Sequence, residues 1–70
     1  MKFYISFGQA HVHRINGETL DYDCLAEIEA KDYQAARKQA NELFDDKWSA
    51  LYEESAFNLS FFPRGIIPIN

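Results

Sequence analysis

The chain has one cysteine, Cys24, so no disulfide can form within it, and a small buried thiol in a reducing cytoplasm is the expectation. Long apolar runs are also missing. The opening MKFYISFG is too short for a signal peptide, and no later run approaches the roughly 20 residues needed to cross a bilayer, so a soluble protein with no membrane partner is expected. There is no basic stripe either: seven Lys and Arg stand against eleven Asp and Glu, for a net charge of −4. Phosphates would find nothing to neutralise them, which argues against direct nucleic-acid binding. Internal repeats, linkers and low-complexity segments are absent, and residues 1–70 read as a single small domain.

A core of that size leaves a thin margin over chain entropy, so a homodimer is a consistent state. Acidic residues cluster in DYD, EIEA, FDD and YEES, a surface that either keeps the protein soluble or presents itself to a basic groove on another protein.

KFYISF alternates Phe3, Ile5 and Phe7 against Tyr4 and Ser6, and CLAEIEA alternates Ala26, Ile28 and Ala30 against Glu27 and Glu29. Both have the period of a strand covered on one face. Between them Asn16-Gly17 predicts a two-residue hairpin turn. Extended through both arms, that register sets Ile5 against Ile28, Phe7 against Ala26, Ser6 against Glu27 and Tyr4 against Glu29. Nearer the turn it sets His13 against Leu20, His11 against Tyr22 and Gln9 against Cys24. A bulge at Gly8 would reverse the phase and turn both histidines to solvent, so their orientation stays open, as does the choice between ribbon and ordered loop for residues 8 to 22.

KDYQAARKQANELFDDK predicts a helix over Asp32 to Phe44, capped by Asp32, with Tyr33, Ala36, Ala40, Leu43 and Phe44 on one stripe. The pair Asp45-Asp46 ends it. WSALYE is a third strand, which a crossover returns parallel to the second. The tail gives an irregular aromatic segment and a short strand near Ile66 to Ile69, where Pro68 favours an edge. The expected fold is α+β: a β-hairpin and one α-helix packed on a three- to four-stranded, mostly antiparallel sheet, β-β-α-β with a short C-terminal edge strand.

Three site readings compete. His11 and His13 project from one side of an extended chain, a spacing that serves zinc when further ligands such as Asp23, Asp21 or Cys24 converge. Packing of His11 on Tyr22 is the alternative without a metal. A hydrolase would need His11 or His13 near Ser6 or Cys24 and a carboxylate to orient it, but so short a chain has little room for a closed pocket, so no enzyme is expected. The third reading is an interface. Eleven aromatic residues exceed what one helix on a small sheet hides, and Phe57, Phe61 and Phe62 lie in a segment without periodicity. That segment either reaches the surface or folds back as a lid. Arg64, between Pro63 and Gly65, would be displayed outward, toward a partner's carboxylate or solvent.

YISFGQAHVHRINGETLDYDCL, ANELFDDKWSALYEE and FFPRGIIPI together resemble a group of short proteins of tailed bacteriophages and prophages. The group shares an F-G-Q-x-H-x-H opening, a helix ending in E-L-F, an aromatic strand and a terminal F-P-R-G, and the likeness spans nearly the whole chain. It implies an accessory phage protein in the host bacterial cytoplasm that acts stoichiometrically on a host or anti-phage defence protein. It places function at Gly8, Gln9, His11 and His13. With Tyr22, Asp23, Phe61, Phe62 and Arg64 these form the expected partner- or ligand-binding set; no cofactor is expected, and zinc on His11, His13 and Asp23 is the rival.

Overall fold

The computed structural model describes every residue except Asn16, Ser55 and Asn70. In chain order its elements are β1 (Lys2–Ser6), β2 (His13–Ile15), β3 (Glu18–Leu20), β4 (Cys24–Glu29), α1 (Tyr33–Phe44), β5 (Ala50–Glu53), a short 3-10 turn (Leu59–Phe61) and β6 (Gly65–Pro68). Four strands form one sheet in the order β5-β1-β4-β6, and β2 and β3 pair as a separate two-stranded ribbon. The fold is α+β, one helix on a mostly antiparallel mixed sheet.

Local chemistry explains the helix. Asp32 is extended, and its carboxylate accepts a hydrogen bond from the Ala35 amide at 2.8 Å, satisfying a donor that the first turn leaves orphaned. Ala36, Ala40 and Phe44 are buried along one stripe, and the alanines let the helix lie close to the sheet. Tyr33 and Leu43 sit at the margins of that stripe, 44% and 43% exposed. The helix stops at Asp45, whose φ of +57° is left-handed.

Alternation then sorts the strands. Phe3, Ile5, Cys24, Ala26, Ile28 and Leu51 face the helix and are buried, each large side chain contributing about 2–3 kcal/mol. β5 pairs antiparallel with β1 and therefore runs parallel to β4, as the crossover requires. β6 pairs parallel with β4 and places Pro68 on a sheet edge.

The hairpin register differs from the sequence reading. Within the ribbon, His13 faces Leu20, as expected, and Ile15 faces Glu18. Of the turn pair, Asn16 lies outside the described residues; Gly17 has a φ of +82°. In the main sheet Ile5 lies across from Ala26, not Ile28; Phe3 faces Ile28, Tyr4 faces Glu27 and Lys2 faces Glu29. Phe7 and Ser6 consequently do not face Ala26 and Glu27 in this ladder. The cause is unequal arms: from the His13 pair to the Ile5 pair the first arm spends two residues more than the second, taken up at the turn that begins at Gly8. An even offset keeps every side chain on its expected face while changing its partner. The expected pairings of His11 with Tyr22 and Gln9 with Cys24 fall in this unpaired region, and Cys24 instead pairs with Gly65.

Candidate functional site

β1 ends, and β4, β5 and β6 begin, at the same end of the sheet, and the β2–β3 ribbon is inserted there. The topology thus gathers at one end the two stretches that the sequence singled out.

Gly8 opens the turn with a φ of +63°, and a Cβ there would come within 3.3 Å of the Ser49 Cβ. The approach is held by the Ser49 amide, which donates to the Ser6 carbonyl at 2.7 Å. Past this turn the chain presents Gln9 and Val12 to solvent, leaves His11 half-buried and brings His13 inward. The His13 ring packs 5.5 Å from Phe7 and 4.8 Å from Phe44, which themselves meet edge to face at 5.0 Å. Its Nε2–H donates to the Lys47 carbonyl at 2.6 Å. His13 therefore plugs the open end of the core and ties it to the chain after the helix. Among the described residues, no group of three or more His, Cys, Asp or Glu is arranged to hold a metal ion.

Arg64 is turned onto the chain itself. Its guanidinium lies 3.2 Å from Asp21 and 3.9 Å from Glu18, and its amide donates to the Asp23 carbonyl at 2.9 Å. Asp21 also accepts from the Asp23 amide at 3.1 Å. Arg64 thus joins the ribbon to the start of β6. Tyr22, beside this joint, is 55% exposed, while Asp23 is half-buried. Cys24 is buried on the helix side, and that burial raises its thiol pKa.

The aromatic segment divides its residues between lid and surface. Phe57 folds back over the second face of the sheet, 4.8 Å from Tyr4 and 6.1 Å from Tyr52. Asn58 caps the following turn, its side chain accepting from the Ser60 amide at 3.0 Å. The turn carries Leu59 and Phe61 outward at 49% and 72% exposure, and Phe62 is half-buried.

Sequence reasoning missed the groove beside this lid, about 620 Å³ and lined by Tyr4, Glu54, Phe57, Asn58, Leu59 and Ile66. The available signal was Tyr4, a large aromatic in an otherwise polar row, which the structure leaves only 4% exposed. Its phenol pKa is raised by burial and then by the carboxylates of Glu27 and Glu54. A second hollow, about 360 Å³, lies between Ile28, Leu43 and Ile69 beside the helix. No helix among the described residues is long and apolar enough to cross a membrane. Compared with family models, curated proteins and solved structures, the chain matches none.

Proposed function

We propose that this chain is a small, non-catalytic accessory protein of a bacteriophage, acting in the host cytoplasm as a stoichiometric protein-binding module that inhibits a host or anti-phage defence factor. The phage origin rests on the resemblance carried by the F-G-Q-x-H-x-H opening and the terminal F-P-R-G. Binding rests on one observation above the others: Phe61 is 72% exposed on a turn that Asn58 caps by a hydrogen bond. An aromatic presented on a fixed turn loses little further freedom when a partner covers it, which favours affinity. Leu59, on the same turn, is exposed as well. The rival, a metal or small-ligand binder, draws no comparable support, because His13 Nε2 is engaged with the Lys47 carbonyl.

Capture from infected-host lysate tests this reading. The wild type is expected to retain a protein in a fixed ratio by native mass spectrometry, and a Leu59→Ser, Phe61→Ser variant to lose it with an unchanged circular-dichroism spectrum. Identical captures by both proteins would overturn the reading, as would stoichiometric zinc, nickel or copper on untagged protein that vanishes in a His11→Ala, His13→Ala variant. Sedimentation of the purified chain reports on a homodimer.

A further inference from the structure

The groove on the second face of the sheet has a composition that selects its occupant. Its floor is the half-buried Phe57 ring, which covers the buried Tyr4 at 4.8 Å and adjoins Tyr52 at 6.1 Å. Leu59 and Ile66 supply apolar walls, and Glu54 lines it with a carboxylate. The strands carry Lys2, Glu27 and Glu29 onto the same face, where Lys2 lies 3.8 Å from Glu27 and the N-terminal ammonium 3.1 Å from Glu29. No ion pair to Glu54 is formed among the described residues.

Each feature excludes a class of ligand. Ring faces carry negative electrostatic potential and Glu54 carries a full charge, so a phosphate, a nucleic acid or an anionic lipid is repelled. A wholly apolar occupant would strip water from Glu54 and give it no partner. A lysine or arginine meets all the requirements: its cation faces the Glu54 carboxylate and the Phe57 ring, and its methylene stem lies on Leu59 and Ile66. The volume exceeds that of one side chain and suits a few residues of extended chain.

We propose that this groove docks a basic, extended segment of a partner protein, seating a lysine or arginine against the Phe57 ring and the Glu54 carboxylate. The proposal rests on the protein-binding reading above and gives that partner's surface its chemistry.

The test uses the whole chain, labelled with ¹⁵N and ¹³C, and pools of short blocked peptides whose central residue is fixed as lysine, arginine, glutamine or glutamate and whose other positions are randomised. The lysine and arginine pools are expected to shift the resonances of Tyr4, Phe57, Leu59 and Ile66, and the glutamate pool to leave them in place. Glu54 is a surface residue, so Glu54→Gln should preserve the fold while weakening the response about fivefold, and Glu54→Lys should abolish it. Raising salt from about 50 mM to about 500 mM should weaken it several-fold. A glutamine pool as effective as the lysine pool would overturn the proposal, as would shifts confined to the ribbon end or no shift with any pool. The two readings also fail separately. A captured protein held equally by wild type and Glu54→Lys removes the groove and keeps the module; basic peptides bound in the groove with no protein captured do the reverse.

Discussion

The helix-covered face of the sheet and its opposite face use the same strands and are closed by different means. On one, Phe3, Ile5, Ala26 and Ile28 meet the alanine stripe of a regular helix, and water is excluded. On the other, Tyr4 and Leu25 are buried, yet their surroundings include Glu27, Tyr52, Phe57 and Glu54, and the cover is an irregular segment with a groove left open beside it. The first face is built for burial and accounts for stability. The second leaves Phe57 half-buried and Glu54 and Leu59 exposed beside the groove, which is where recognition can be placed at small cost to the fold.

Truncating one aromatic on each face should separate these roles most widely. Phe7 is fully buried and touches both His13 and Phe44, so Phe7→Ala is expected to cost about 3–5 kcal/mol, much of what a chain this small has. Phe57 is half-buried, and Phe57→Ala should cost about 1–2 kcal/mol. Urea denaturation measures both. Equal losses would mean that the second face is as much a core as the first.

Backbone strain gives a smaller pair of effects with opposite signs. Gly8→Ala forces a side chain into a left-handed conformation against Ser49 and should destabilise by about 1–2 kcal/mol. Asp45, already left-handed at a φ of +57°, should gain about 0.5–1 kcal/mol as Asp45→Gly. Thermal melts of the two variants should move apart, and a Gly8→Ala protein as stable as wild type would show that the turn is not held against Ser49.

Alkali should reach the two faces in sequence. Cys24 and Tyr4 are neutral when protonated, and burial raises both pKa values above their ordinary 9.0 and 10.0. Each therefore contributes stability that is complete below its ordinary value and lost as pH rises from there toward the folded value. Melting temperature should be flat near neutrality and fall above about pH 9, first through Cys24 on the helix side and then through Tyr4 opposite. Cys24→Ala should remove the earlier part of the decline and Tyr4→Phe the later part. A decline unchanged in Tyr4→Phe would mean that its phenol is solvated and the second face open.

What the sequence disclosed follows the same division. The helix was readable to its cap because Asp32, the alanine stripe and the Asp45 stop are local signals, and the faces of β1 and β4 were readable because period two is local as well. Register was not. The two additional residues at the Gly8 turn leave the alternation intact, so a slip from Ile28 to Ala26 opposite Ile5 carries no trace in the pattern. Arg64 looked displayed because its partners, Asp21 and Glu18, are distant in sequence and come near only when β6 docks on β4. Tyr4 was placed in a polar row for the same reason: its cover, Phe57, arrives from the aperiodic segment. The candidate set was found as separate stretches, and its gathering at one end of the sheet is a product of topology.

The smallest expected stability effect is the one that bears most on function. Phe61 projects from the capped turn at 72% exposure, so Phe61→Ser removes little buried area and should change stability by no more than about 0.5 kcal/mol. The melt should overlay that of wild type, in contrast to Phe7→Ala. If the exposed ring is a binding anchor, the same substitution should raise the dissociation constant for the captured partner at least tenfold, about 1.4 kcal/mol, as measured by titration calorimetry. An unchanged affinity with an unchanged melt would leave Phe61 with no role on either face. A large loss of stability would instead assign the 3-10 turn to the core and erase the distinction between the two faces at the point where it is most pronounced.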